Sequence, residues 1–249
     1  MILEKITCSD MREYNIVDDI IDLGKRWPQS EFAIQAHPTK FSAHMPRYDW
    51  FWTLANACTV NDVNLAMHIN SDWRTMICNG KIPEEINNFL KIKRYNGKPV
   101  IGRVQINING GDQNYHCYSK RVADIINAYP DIEFIFQYAP RQNNRIRPLN
   151  ATNAPFSLLY DASCGRGIMA RKYRAPIMPN HKTGYSGGLS PENVAQELAK
   201  INLVLPYNYV TWIDAEGKLR NPETGHFDIE RAAQYIQNAH SWNYGHRSH

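Results

Sequence analysis

Short apolar segments of strand length alternate along the chain with segments whose apolar residues follow a helical period. This alternation predicts eight strands, at Leu3–Thr7, Phe32–Ala36, Leu65–Ile69, Pro99–Ile106, Ile132–Tyr138, Phe156–Tyr160, Thr183–Ser186 and Tyr209–Ile213. Parallel strands need a long crossover connection, usually a helix, so strands that alternate with helices indicate a parallel sheet. Several of these segments are apolar throughout, which is typical of strands covered on both faces.

The number of strand–helix units, compared with the chain length, distinguishes a closed barrel from an open parallel sheet. The chain has 249 residues, which is the usual size of one closed (β/α)8 barrel, or TIM barrel. We therefore predict an α/β fold with a single (β/α)8 barrel domain over residues 1–249. An open doubly wound sheet is the structural alternative, and two small domains would also fit the length.

The connecting segments carry helix signals of unequal strength. Ser190, followed by Pro191 and Glu192, predicts a helix with the serine as its N-cap. Asp228 is expected to cap the last helix. The stretch 143–154 contains proline and predicts a poor helix. The segment after the sixth strand predicts a long basic loop.

Composition and cysteine usage exclude several classes of protein. The hydrophobic fraction of 43% and the charged fraction of 21% are those of an ordinary globular protein. The five cysteines are scattered and form no C-x-x-C pair, which favours a reducing compartment, by default the cytoplasm. No segment approaches the roughly 18 apolar residues of a membrane span, and Met1–Lys5 does not begin a secretory signal. We expect no membrane association.

The positive charge of the chain is concentrated in one stretch. The net charge is only +4, but one short segment without acidic residues contains Arg166, Arg171, Lys172, Arg174 and Lys182. No nucleic-acid-binding motif accompanies this segment, so we expect no nucleic-acid partner. A solvated loop, or a basic rim around an anionic small molecule, explains the segment better.

Polar residues occur at the C-terminal ends of several predicted strands, namely His37, His68, Asn70, Gln105, Asn107, Gln137 and Asp161. In a parallel barrel these ends share one face, which is where barrel enzymes build their active sites. Gln105, Gln137 and Asp161 lie inside otherwise apolar segments. A buried polar group is costly unless it has a partner, so these three side chains are expected to serve a ligand or a hydrogen-bond network.

Four segments in the second half of the chain resemble one enzyme family. Gly187–Val194, with the sequence GGLSPENV, resembles the phosphate loop after the seventh strand of phosphoribosylanthranilate isomerase, a (β/α)8 barrel of tryptophan biosynthesis. Leu158–Ala162 resembles the sixth strand of that family, and Cys164–Gly167 the glycine-rich loop after it. Trp212–Gly217 resembles the eighth strand and its phosphate loop. The resemblance covers about residues 156 to 240.

The resemblance implies a phosphate site, and backbone chemistry supports it. Gly187 and Gly188 would let the backbone approach an anion closely, beside the N–H groups at the start of the Ser190 helix. The second half of the site would be the backbone of Ala215, Glu216 and Gly217, with Lys218 or Arg220 nearby. The expected partner is a phosphorylated small molecule bound by a monomer or homodimer. A tight turn is the alternative explanation of the glycine pair.

The resemblance also implies catalysis of an Amadori rearrangement, which needs one acid, one base and no cofactor. Asp161 matches the position of the acid, and exclusion of water would raise its pKa. The family carries its base in a Lys-Ile-Cys-Gly motif, whereas this chain has Lys5-Ile6-Thr7-Cys8. Cys8 is therefore one residue late, which turns it away from the site unless a bulge restores it. Asp10 is the substitute base.

Further residues are expected to bind the rest of the substrate. Arg47 lies where the family has an arginine that pairs with the anthranilate carboxylate, and a planar guanidinium suits that group. Gln105, Gln137 and Arg166 are the other candidates. An isomerase-like enzyme acting on a phosphorylated sugar derivative is thus the leading hypothesis. The alternatives are a non-catalytic phosphate-ligand-binding barrel and a metal-dependent hydrolase that uses His37, His68 and Asp161.

Overall fold

Eight parallel strands close into a barrel in chain order, which confirms the predicted (β/α)8 fold. The computed structural model describes residues 1–39, 41, 45–107, 119–139, 143–163 and 165–245. The strands are β1 (Ile2–Ser9), β2 (Ser30–Ala36), β3 (Asn64–Ile69), β4 (Ile101–Asn107), β5 (Glu133–Tyr138), β6 (Ser157–Asp161), β7 (Thr183–Ser186) and β8 (Val210–Ala215). Pairing of β1 with β8, from Ile2 with Val210 to Cys8 with Ala215, closes the cylinder.

Helices pack around the outside of this barrel. In the described residues they are α1 (Val17–Arg26), α2 (Pro46–Ala57), α3 (Ser71–Cys78), α4 (Glu84–Leu90), α5 (Ser119–Ala128), α6 (Asn143–Asn150), α7 (Val194–Asn202) and α8 (Ile229–Gly245). A short 3-10 helix spans Gly217–Leu219. None of the helices in the described parts of the chain combines the length and the apolar character that crossing a bilayer requires.

Two connections depart from the predictions, and the connection from β6 to β7 agrees with the predicted long loop. The prediction of a poor helix at 143–154 was wrong, because α6 forms over Asn143–Asn150 with Pro148 inside it. The crossover from β3 to β4 contains two helices. The described part of the connection from β6 to β7 contains none, and Tyr160 and Tyr185 hold that loop by donating hydrogen bonds to the carbonyl oxygens of Lys172 and Arg174.

The helix predicted to begin at Ser190 begins later, at Val194. Residues 190–193 form a turn in which the N–H groups of Asn193 and Val194 donate to the carbonyl of Ser190. Asp228 caps α8 as expected, because its Oδ1 accepts from the N–H groups of Glu230 and Arg231. The N-terminal ends of the last two helices therefore differ: Asp228 caps α8 with its side chain, and α7 follows a turn.

Side chains alternate across each strand, so one set faces the helices and the other fills the barrel. The outward set is apolar and forms the main core. The inward set has an apolar middle layer of Ile135, Leu159 and Trp212. Trp212 fills the barrel axis so closely that a Cβ on Gly184 would lie 2.1 Å from its ring. Glycine at 184 is thus required for this packing.

Buried ions occupy the barrel below this apolar layer, toward the N-terminal ends of the strands. Arg103 pairs with Glu31 at 3.0 Å and lies 3.3 Å from a Glu133 oxygen. Its guanidinium stacks over the Trp212 ring at 4.4 Å. Thr7 donates a further hydrogen bond to Glu31. This end of the barrel is therefore closed by charges that compensate one another.

Candidate functional site

A cavity of about 560 Å³ lies at the opposite end, where the C-terminal ends of the strands meet. Most of the residues predicted to form the site line it. They are Asp10, Arg47, Gln105, Gln137, Asp161, Arg166, Gly187, Gly188, Ala215, Glu216 and Gly217. The closed barrel brings these residues together from seven strands or the segments that follow them. Cys8 is the one predicted residue that the described lining does not include.

The lining of this cavity is polar. Among the described lining residues, Leu189 and Ala215 are the only ones with apolar side chains. Small-molecule pockets are usually lined mainly by apolar and aromatic groups. A cavity with few apolar groups suits a ligand that makes many hydrogen bonds.

Cys8 lies on the outward face of β1. Its side chain is fully buried in the core between the barrel and the helices. Desolvation, followed by the charge of Asp214, raises the pKa of this thiol well above its ordinary value. The one-residue slip in the motif thus turns Cys8 away from the cavity, and the residue in the inward position is Ser9.

Ser9 contacts Asp214, a buried carboxyl group at the end of β8 that the sequence analysis did not single out. The serine hydroxyl donates to Asp214 Oδ1 at 2.5 Å. Desolvation raises the pKa of Asp214 to about 7, and the charges of Glu31 and Asp161 act in the same direction. Asp214 lines the cavity and can therefore exchange a proton with a bound ligand near neutral pH.

Asp161 has a different environment, because its oxygens are already occupied. Oδ1 accepts from the backbone N–H and the hydroxyl of Ser163, at 2.9 and 2.7 Å. Oδ2 accepts from Gln137 Nε2 at 2.6 Å and from the Gly165 N–H at 2.5 Å. These bonds fix the start of the loop after β6. Asp161 therefore organises the wall of the cavity and has little hydrogen-bonding capacity left for a ligand.

Asp10, the substitute base, is held between two arginines. Arg12 donates to both of its oxygens, at 3.1 and 2.8 Å, and Arg220 donates to Oδ2 at 2.6 Å. Asp10 also has a left-handed backbone, with a φ of 77°. Such a conformation is uncommon for a residue other than glycine and needs support from its surroundings. The pairing positions the two guanidiniums beside the cavity and leaves the carboxylate occupied.

The glycine turn after β7 lies next to the turn after β8. Ser186 pairs with Asp214 across these two strands, and Gly187–Gly188 and Ala215–Gly217 follow directly. Gly187 and Gly188 have φ values of 106° and 68°, so the turn requires glycine. Within the described residues, the N–H groups of Gly188 and Gly217 donate no hydrogen bond. Two adjacent turns that line the cavity therefore contain backbone donors without an acceptor among the described residues.

The predicted contribution of the Ser190 helix is absent from this arrangement. The Ser190 N–H donates to the Asn193 side chain at 2.8 Å, and α7 begins only at Val194. Positively charged side chains, rather than the N-terminus of a helix, add attraction for an anion here. Arg166 and Lys218 are exposed at the rim of the cavity, and Lys218 forms no ion pair with the described residues. The glycine turns are thus combined with cationic side chains.

Carboxamides line the other side of the cavity, at the ends of β2, β3 and β4. Gln105 donates to Asn107 at 2.9 Å, Asn107 donates to Asn70 at 2.8 Å, and Asn70 donates to Gln35 at 2.5 Å. Gln35 in turn donates to Glu216 at 3.0 Å. We call Gln105, Asn107, Asn70 and Gln35 the carboxamide row. Of its members, only Gln105 was proposed from the sequence as a substrate-binding residue.

The two strand-end histidines have separate hydrogen-bond partners. His37 contacts Ser71 through Nε2 and Thr39 through Nδ1, and His68 contacts Gln35 and Gln105 through Nδ1. Within the described ranges, no group of three or more His, Cys, Asp or Glu side chains is placed to hold a metal ion. The geometry gives no support to the metal-dependent hydrolase.

Comparisons with known proteins find no protein family and no characterised protein that matches this chain. The site must therefore be interpreted from its own geometry.

Proposed function

We propose that this barrel is an isomerase that acts on a phosphorylated sugar derivative by acid/base catalysis, without a cofactor. The observation that carries the proposal is the pair of adjacent turns lining the cavity, in which the N–H groups of Gly188 and Gly217 have no acceptor among the described residues. Backbone N–H groups of glycine-rich turns are well suited to a phosphate group, because its oxygens can approach them closely. Arg166 and Lys218 at the rim add attraction for an anion.

Asp214 is our candidate for the group that moves protons. An Amadori rearrangement protonates the ring oxygen as the sugar ring opens and then removes the proton from C2 of the resulting imine. The resulting enaminol becomes the ketose when C1 gains a proton and the hydroxyl on C2 loses one. A carboxyl group with a pKa of about 7 can release and accept protons at the pH at which the reaction would run. The Ser9 hydroxyl, 2.5 Å away, would hold this carboxyl group in one orientation.

The resemblance to phosphoribosylanthranilate isomerase supports the same reaction class. The matching segments are those that form the glycine turn, β6 and β8. The residue roles that the family suggests are altered in our proposal, because Cys8 faces the core and Asp10 is occupied by two arginines. A part in tryptophan biosynthesis stays a prediction.

Binding of ribose 5-phosphate, measured by isothermal titration calorimetry, tests the anion site. Gly188→Ala should weaken binding at least tenfold, because a Cβ there would lie 2.5 Å from Met169 N and the turn must move. Gly225→Ala is the matched control: Gly225 has a similar φ of +70°, but its Cβ would meet nothing within 4 Å. Equal affinities of the two variants would contradict the assignment of this turn.

Deuterium exchange tests the catalytic part of the proposal. Ribose 5-phosphate and ammonia form phosphoribosylamine in solution, and proton removal from C2 in D2O is seen by NMR. Asp214→Asn should slow this exchange by about 100-fold or more, the usual contribution of a general acid or base. Binding without exchange in the wild-type protein would instead favour a non-catalytic phosphate-ligand-binding barrel.

A further inference from the structure

Two polar side chains lie side by side on the cavity floor, away from the glycine turns. His68 of β3 pairs in register with Gln105 of β4, and both line the cavity. They are buried, with exposed fractions of 3% and 4%. Burying polar atoms that lack partners costs free energy, so any atom of this pair that is left unbonded marks a place for a ligand.

His68 offers a hydrogen-bond donor. Its Nδ1 lies 3.4 Å from Nε2 of Gln35 and 3.4 Å from Nε2 of Gln105. Both neighbours are amide N–H donors, so Nδ1 acts as the acceptor and the ring proton resides on Nε2. Desolvation lowers the pKa of His68 to about 4, which keeps the ring neutral. Among the described residues, Nε2 has no hydrogen-bond partner.

Gln105 offers the complementary acceptor. Its Nε2 is used, because it donates to Asn107 at 2.9 Å and faces His68. No described residue donates a hydrogen bond to its Oε1. The carboxamide row fixes this orientation, because each of its members donates to the next as far as Glu216. An acceptor oxygen and a donor N–H thus belong to two neighbouring side chains, whose contact joins Gln105 Nε2 and His68 Nδ1 at 3.4 Å.

We propose that His68 and Gln105 form a subsite for an uncharged group that both accepts and donates a hydrogen bond, a primary carboxamide or a hydroxyl, at the end of the ligand distal from its phosphate. This inference rests on the proposed function, which supplies the phosphate anchor. A carboxamide satisfies both atoms at once, with its oxygen on His68 Nε2–H and its N–H on Gln105 Oε1. A carboxylate has no donor for Oε1 and would place two acceptors in contact.

The subsite departs from what the family resemblance implies. The family binds an aromatic carboxylate, and Arg47 was predicted to pair with it. Arg47 contacts Glu13 at 3.3 Å, which offsets its charge. The described lining offers little apolar surface for an aromatic ring, since Leu189 and Ala215 are its only apolar side chains.

Three matched ligands test the subsite: ribonamide 5-phosphate, ribitol 5-phosphate and ribonate 5-phosphate. They differ only at C1, which carries a carboxamide, a hydroxyl or a carboxylate. Calorimetry should show that ribonamide 5-phosphate binds at least tenfold more tightly than ribonate 5-phosphate. Ribitol 5-phosphate should also bind more tightly than ribonate 5-phosphate, because its C1 hydroxyl both accepts and donates a hydrogen bond. Ribonate binding as tight as ribonamide binding, or tighter, overturns the proposal.

A variant assigns the preference to Gln105. Gln105→Met removes the acceptor at similar length and should reduce the ratio of ribonamide to ribonate affinity to about one to two. Gln234→Met makes the same change on the exposed face of α8 and should leave the ratio unaltered. A ratio that survives in Gln105→Met contradicts the assignment. If no sugar phosphate binds the wild-type protein, the proposed function fails, and the subsite fails with it.

Discussion

The two ends of the barrel interior both bury polar and charged groups, but they use them differently. At the N-terminal end, Arg103 is flanked by Glu31 and Glu133 and stacked on Trp212, so its charge is compensated by protein partners. At the C-terminal end, Asp214 has a serine and, among the described residues, no cation as its hydrogen-bond partner, and burial raises its pKa to about 7. A buried ion with charged partners keeps one protonation state, whereas a buried carboxyl group without such a partner can exchange a proton near neutral pH.

This difference suggests how the barrel divides its tasks. The compensated end, formed by Arg103, Glu31 and Glu133, can be a rigid base, because ion pairs and the Trp212 ring hold the Arg103 guanidinium. The other end keeps backbone donors and a donor–acceptor pair unsatisfied by the described residues. It also contains two carboxyl groups, Asp214 and Glu216, whose pKa burial raises to about 7. Unsatisfied groups cost stability, and a bound ligand would offset that cost.

The largest effect on stability is expected from removing the charge compensation at the N-terminal end of the barrel. Arg103→Met should lower the free energy of unfolding by about 3–5 kcal/mol, because Glu31 is left as a buried carboxylate without its cation. Urea unfolding measures this loss. The double variant Arg103→Met/Glu31→Gln should recover much of it. If the double variant is no more stable than the single one, charge compensation is not the source of the stability.

A smaller, pH-dependent effect is expected at the other end. The pKa of Asp214 rises from 3.8 to about 7 on folding. As the pH increases between these values, the unfolded chain loses this proton while the folded protein keeps it, so stability falls. Asp214→Asn removes this dependence and should gain roughly 2–3 kcal/mol relative to the wild type between pH 5 and pH 8.

Urea unfolding at the two pH values checks this prediction for Asp214. Asp72→Asn, at an exposed position on α3, is the control and should follow the wild-type pH dependence. An Asp214→Asn variant with the same pH slope as the wild type would show that the buried carboxyl group is not protonated in the folded protein.

The smallest effect concerns the rim. Arg166→Met should weaken phosphate binding by a few-fold, on the order of 0.5–1 kcal/mol, because an exposed cation contributes little to binding an anion in water. Arg171→Met is the matched control, since Arg171 is an exposed residue of the same loop that does not line the cavity. Calorimetry with ribose 5-phosphate compares the two. A loss of similar size in both would indicate a general effect of net charge.

The fold could be predicted because its signal is repeated along the chain. Most strands contribute an apolar segment, and the short, more polar β7 was also located at Thr183–Ser186, as the structure has it. Helix boundaries were less predictable because tertiary contacts can outweigh local propensity. The α6 helix forms in spite of Pro148, and α7 begins four residues after the expected N-cap because Asn193 binds the Ser190 N–H.

The candidate site could be predicted in outline but not in its details. Strand ends and glycines identified which segments meet, and all but Cys8 of the named residues line the cavity. The sequence could not reveal which carboxyl group is free. Asp10, Asp161 and Asp214 are the same residue type in the sequence, and only the structure distinguishes their partners. Asp10 pairs with two arginines, Asp161 accepts hydrogen bonds from four donors, and Asp214 accepts one from a serine. Alternation across β8 placed Asp214 inward with Trp212, and this was the signal that could have found it.

The measurement that tests the account most directly is an NMR titration of ¹⁵N-glycine-labelled protein with inorganic phosphate. The account predicts that the amide signals of Gly188 and Gly217 shift together with one dissociation constant. Gly97 and Gly102, which do not line this cavity, should remain unchanged. Saturable phosphate binding that leaves the Gly188 and Gly217 amides unmoved, or no binding at all, would contradict the claim that these turns hold an anion.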